Sequence, residues 1–201
     1  MTDNFALFNE PRRLWLDADS LKQKFLALSA SVHPDKIHSA GESEKSAASK
    51  QFAELNAAYN CLLEPKSRLL HLLELELGAK PKDIQQIPSA LADLFAEVAN
   101  TCKSTDNFLA GKSRVTSPLL QVQLFGRAQE WIEKLNLLQK KLDGLRGQLT
   151  DELKSLDEKW IADNLESRVG LLEKMEELYR LFGYFNRWNG QIQERAVQLS
   201  L

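Results

Sequence analysis

Residues 21–36 read LKQKFLALSASVHPDK, and residues 47–63 read AASKQFAELNAAYNCLL. In the first stretch Leu21, Phe25, Leu28 and Val32 recur at intervals of four, three and four, which places them on one face of a helix. Pro34 lacks a backbone N–H and pushes the residue before it out of the helical region, so the helix ends at Val32. His33 and Asp35 then flank the proline in a short loop, with Lys36 directly after. Phe52, Leu55, Tyr59 and Leu62 form a matching face in the second stretch. Two single-faced helices joined by a polar loop bury those faces together, which predicts an antiparallel hairpin with His33-Pro34-Asp35 at its tip.

Outward from the hairpin, helical periodicity continues and no alternating strand pattern is found. Phe5, Leu7 and Phe8 form a short apolar turn that stops before Pro11, and Asp17 or Asp19 can cap the helix that ends at Val32. After Pro65 a leucine-rich segment runs from Leu69 to Leu77 and stops at Gly78. Pro81 and Pro88 mark residues 79–88 as a linker, which divides the chain into 1–78 and 89–201. A helix is expected from Ser89 to Lys103, and a loop over the polar, Gly111-containing stretch from Ser104 to Pro118. From Leu119 the pattern lengthens. Ala128, Trp131, Leu135, Leu138, Leu142, Leu145 and Leu149 keep the three-four spacing of a coiled-coil seam, and Leu156 and Trp160 resume it after Leu153. A last helix from about Asn164 carries Leu165, Val169, Leu172, Met175, Tyr179, Phe182, Phe185, Ile192, Ala196 and Leu199. The expected fold is all-α, a helical hairpin followed by an antiparallel three-helix bundle. A leucine seam serves a partner chain as well as an internal helix, so the oligomeric state is open.

Composition narrows the function. A net charge of −2 over 201 residues supplies no global field for nucleic acid or an anionic membrane. Tyr184, Phe185 and Trp188 near Arg180, Arg187 and Arg195 suggest base stacking, but their helical spacing points inward and nearby acids offset the charge, so no nucleic-acid partner is expected. No window is apolar enough to span a bilayer, and the first residues show no secretory pattern. Cys61 and Cys102 lack any paired spacing, which suits a reducing, cytoplasmic setting. His33 with Asp35 lacks a nucleophile or phosphate-cradling loop nearby, and His33, His38 and Asp35 are a sparse ligand set for a metal. The expectation is a non-enzyme with no catalytic residue, metal or cofactor.

With these parts in order, residues 21–63 resemble the helix–His-Pro-Asp–helix hairpin of J-domain co-chaperones. The phrases FALFNEP (5–11) and LNAAYNCLLEPKSRLLHLLEL (55–75) are similar to the HscB type, in which a three-helix domain follows the J-domain. The resemblance implies docking on a DnaK- or HscA-type chaperone ATPase through His33, Pro34, Asp35 and Lys36, with Lys22 and Lys24 on the preceding helix. Asp35 would pair with an arginine of the chaperone, and His33 and Pro34 would shape the loop. The family commonly carries more cations on that helix; here Leu26, Ala27, Ala30 and Ser31 take their places, which implies weak, weakly salt-dependent steering. The resemblance also implies a client surface on the first helix of the second domain, with Leu91, Leu94, Phe95 and Val98 beside Asp93 and Glu97, and the iron–sulfur scaffold protein IscU as client. The dense glutamates of the family are missing there. A J-domain adaptor for another client, or a structural bundle with a non-functional hairpin, are the alternatives.

Overall fold

The structure is a computed structural model and describes residues 2–32, 41–81, 88–113, 115–162 and 168–200. Asp3 opens the first element: its carboxylate accepts from the amides of Phe5 and Ala6 and caps the single turn α1 (Asn4–Leu7). Asn9, at φ 49°, takes the left-handed conformation that asparagine tolerates better than most residues, and turns the chain after α1. The Asp17 carboxylate accepts from the Ser20 amide at 2.8 Å at the start of α2 (Ala18–Val32). Glu64 separates α3 (Glu42–Leu63) from α4 (Pro65–Leu77). Its carboxylate accepts from the Ser67 amide at 2.7 Å, while Pro65 occupies a first-turn position where no N–H is needed. Gly78, at φ 70°, ends α4 in the left-handed conformation and donates its amide to the Glu74 carbonyl. A 3₁₀ turn (Ser89–Leu91) leads into α5 (Ala92–Lys112), and α6 (Pro118–Ala162) and α7 (Arg168–Ser200) complete the chain. All regular structure among the described residues is helical.

Four expectations are revised. α3 begins at Glu42 rather than near Ala47, because Glu42 and Glu44 sit in the first turn, where the free amides favour carboxylates. The stretch expected as a loop from Ser104 is helix as far as Lys112. Thr105 is fully buried there and donates its hydroxyl to the Thr101 carbonyl, so a polar residue type fills the inner face. In α2 the buried stripe runs through Leu21 and Ser29, whose hydroxyl donates to the Leu26 carbonyl, whereas Leu28 is 38% exposed. Val169, expected on the inner face of the last helix, is exposed; Asn164 and Leu165 lie outside the described residues.

The chain forms two compact units, and α6 and α7 contribute to both. One comprises residues 1–82 and 150–180, the other 83–149 and 181–201. The expected division at 78 and 88 follows chain order, whereas the compact units group the end of α6 and the start of α7 with the hairpin. The hairpin unit buries Phe5, Phe8, Leu14, Leu21, Leu62, Leu69, Leu72 and Leu73, and from the two long helices Leu153, Leu156, Trp160, Met175 and Leu178. The second unit packs Leu94, Val98 and Cys102 of α5 with Ala128, Leu135, Leu138 and Leu142 of α6 and Phe185, Trp188, Ile192 and Leu199 of α7. The seam read in α6 thus closes within the chain.

Candidate functional site

The hairpin is built to hold its two helices in register. Phe25 of α2 stacks on Tyr59 of α3 with ring centroids 4.5 Å apart, and Phe8 stacks on the same tyrosine at 6.5 Å. His33, Pro34, Asp35 and Lys36 lie outside the described residues, between the end of α2 and Gly41. Of the two lysines expected beside them, Lys22 is exposed, whereas Lys24 is paired with Glu10 at 2.6 Å. The outward side of α2 therefore presents Lys22, Gln23, Leu26, Ala27 and Ala30.

Ahead of α2, the segment that follows α1 is tied down by buried charge. Asp157 of α6, 1% exposed, accepts from the Leu14 amide at 2.7 Å, the Trp15 amide at 3.0 Å and the Arg13 guanidinium. The Trp160 indole donates to the Arg12 carbonyl at 2.9 Å. Arg68 of α4 is buried and donates to the carbonyls of Leu14 at 2.7 Å and Leu62 at 2.5 Å. Burial pushes its pKa down to about 10, against the pull of Glu64 and Asp157, so it stays charged at neutral pH. His71, one turn further along α4, accepts the Asn4 amide at 3.0 Å through Nε2 and stacks on Phe5. Burial lowers its pKa and keeps that nitrogen an acceptor, with Asp3 and Glu74 partly opposing.

The candidate client residues divide. Leu94 and Val98 are core residues of the second unit and offer nothing to a partner, because α5 turns that side against α6 and α7. Leu91 is half-buried. Asp93, Phe95 and Glu97 face solvent, with Phe95 43% exposed, its ring 6.4 Å from that of Trp188. Glu97 pairs with Lys141 at 2.5 Å. Phe95, Lys103, Asp106, Trp188 and Arg195 line a groove of about 350 Å³ with Cys102 at its base, and Arg195 crosses it to Asp106 at 2.7 Å. Among the described residues no group of three His, Cys, Asp or Glu could hold a metal, and no helix is long and apolar enough to cross a membrane. Both cysteines are free thiols, raised in pKa by burial and so poorly nucleophilic at neutral pH.

Residues 14–71, from the tied-down segment through both hairpin helices into α4, match the DnaJ domain family. The hairpin is a J-domain. The "Co-chaperone protein HscB homolog" of Paraburkholderia phymatum is 38% identical over 80 residues, 38% of this chain and 46% of the relative. That of Burkholderia mallei is 36% identical over the same length and shares. The chain thus spans about half the length of the curated relatives it matches. Chaperone HscB from Vibrio cholerae shares the fold at a TM-score of 0.58, with 20% identity, over 98% of this chain and 99% of that one. Human co-chaperone protein HscB does so at 0.60, with 20% identity, over 96% of this chain and 81% of that one. The whole chain therefore has the HscB fold, with the J-domain first.

Sequence reading missed the residues that fasten the J-domain. Asp157 and Arg68 stand among residues that periodicity assigns to solvated faces, and the carboxylate of Asp157 meets Arg13 across 144 positions of chain. Trp188 and Arg195 of the groove were visible only as part of an aromatic-basic cluster, whose buried aromatic rings fit packing rather than base stacking.

Proposed function

We propose that this chain is a co-chaperone: its J-domain docks on a DnaK/HscA-type chaperone ATPase and stimulates ATP hydrolysis there. The observation that carries the reading is the DnaJ-domain match over residues 14–71, which spans the hairpin bearing His33-Pro34-Asp35. A docked loop that fits the hydrolysis-competent state of the chaperone better than its resting state shifts that equilibrium, and needs no nucleophile, metal or cofactor of its own. Asp35 meets an arginine of the chaperone, and Pro34 limits the entropy lost on docking. Lys36 and Lys22 add charge, while Lys24, held by Glu10, adds little. The setting is cytoplasmic. Steady-state ATP turnover of the cognate chaperone rises on adding the wild-type chain and stays basal with His33→Gln, whose circular dichroism is unchanged. Equal stimulation by both proteins sinks the reading.

In this reading residues 1–78 address the chaperone and residues 89–201 hold the client, an IscU-like iron–sulfur scaffold protein. The support is the HscB fold of the whole chain and the solvent-facing group Asp93, Phe95 and Glu97 beside the groove to Trp188. Leu91 borders that group; Leu94 and Val98 support it from the core. Calorimetric titration of IscU gives heat with wild type and a weakened signal with Phe95→Ser. No heat with wild type removes the iron–sulfur assignment and leaves a J-domain adaptor for another client.

A further inference from the structure

α2 carries two cations, Lys22 and Lys24, and the second is held by a residue from outside the helix. Lys24 Nζ donates to the Glu10 carboxylate at 2.6 Å. Glu10 lies in the segment after α1, with its side chain 13% exposed against 41% for Lys24. The local fold aims it there. Asn9, at φ 49°, turns the chain, and the Glu10 amide donates to the Phe5 carbonyl at 2.9 Å. Phe8 is buried and stacks on Tyr59, which also stacks on Phe25, the residue next to Lys24. The turn that presents Glu10 is thus anchored on the hairpin itself. The arginines nearest to Glu10 in sequence are engaged elsewhere, Arg12 with Asp3 at 2.8 Å and Arg13 with Asp157. Lys24 is the cation that meets it.

The contact bears on the outward side of α2. Ala27, one turn on from Lys24, is exposed, and so are Lys22 and Leu26. An ammonium released from Glu10 reaches that side on its flexible four-carbon stem. While the pair is closed, the carboxylate offsets one of the helix's two positive charges and holds the stem toward α1. Because Glu10 is largely buried, the pair is screened less than one standing fully in water. We infer that Glu10 attenuates docking: it withholds Lys24 from an acidic chaperone surface, and Lys24 joins Lys22 there only when the pair opens. The inference rests on the co-chaperone reading and concerns the regulation of that same site.

ATP turnover of the cognate chaperone, titrated with the full chain at low salt, tests this. Glu10→Gln keeps the side-chain volume and removes the charge. It is expected to lower the half-saturating concentration about threefold, with the gain fading as ionic strength passes about 0.15 M. In a chain that carries Lys24→Gln, the same substitution is expected to give no gain. A second readout needs no chaperone: acetylation of the full chain, followed by peptide mass spectrometry, is expected to be slower at Lys24 than at Lys22. Glu10→Gln is expected to bring Lys24 up to the rate of Lys22. An unchanged half-saturating concentration with Glu10→Gln, a gain that persists without Lys24, or equal acetylation of the two lysines in wild type overturns the inference and leaves the co-chaperone reading standing. A wild type that stimulates at no concentration removes that reading and the inference with it.

Discussion

Among the described residues, the hairpin unit buries four polar or charged side chains, Ser29 in α2, Arg68 and Asp157 at the segment that leads into α2, and His71 against α1; in the bundle unit only Thr105 is of that kind. The first unit holds irregular chain, residues 11–16, where side chains meet the amides of Leu14 and Trp15 and the carbonyls of Arg12 and Leu14 in place of a regular backbone ladder. The second consists of long helices that satisfy their own backbones, so apolar side chains suffice, with Phe185 edge-on to Trp188 at 5.5 Å and Phe108 tilted against Trp131. Buried charge appears where backbone lacks regular structure. The same difference governs how each unit fails.

The largest effect is expected from Arg68→Ala in the hairpin unit, about 4 kcal/mol. The substitution empties a fully buried volume and orphans the carbonyls of Leu14 and Leu62. Arg68→Met keeps most of the volume but none of the donors, and is expected to recover about 1–2 kcal/mol of that loss. Urea denaturation measures the totals, and amide exchange locates the loss in α1, α3 and α4. Full recovery with methionine would show that packing, not the backbone contacts, is the guanidinium's contribution.

In the bundle unit the counterpart is Leu135→Ala, which removes a fully buried seam residue and touches no polar group. Its cost is the transfer and cavity term alone, about 3 kcal/mol, with lost exchange protection in α5 and α6. A loss of protection confined to the hairpin unit would contradict the division of the core drawn above.

How much of this was legible follows the same line. The α6 seam and the paired helices were readable because apolar spacing reports a face directly, and Ala128, Leu135, Leu138 and Leu142 are buried as their spacing demands. Asp157 was not readable, since a carboxylate between Leu156 and Trp160 looks solvated until Arg13, Leu14 and Trp15 arrive from the far end of the chain. Thr105 and Ser29 misled for a related reason: each satisfies its hydroxyl on its own helix and then behaves as a small core residue. Of the candidate site, the tripeptide was identified by residue type and lies outside the described residues. On α5 the periodicity that suggested a client patch was the periodicity of the core, which is why Leu94 and Val98 turn inward while Phe95 remains available.

The smallest expected effect sharpens the contrast through pH. His71 must stay neutral to accept the Asn4 amide, and burial lowers its pKa from the ordinary 6.5. The unfolded chain therefore binds a proton before the folded one does. The contribution is fully present above pH 6.5 and is lost as pH falls through the lowered folded value. Asp3 and Glu74 draw the pKa upward and Arg12 opposes them. Asp3 itself is held below the ordinary carboxylate value, because its hydrogen bonds to Arg12, Ala6 and Phe5 outweigh its burial, so it titrates in a more acidic window. Between pH 6.5 and about 5, wild type is then expected to lose stability while His71→Gln, whose amide oxygen can still accept the Asn4 amide, changes less. At pH 7.5 the variant is expected to cost no more than about 1 kcal/mol. Urea midpoints measured at both ends of that window decide the matter: parallel losses in the two proteins would show that the α1–α4 contact is indifferent to the charge on His71.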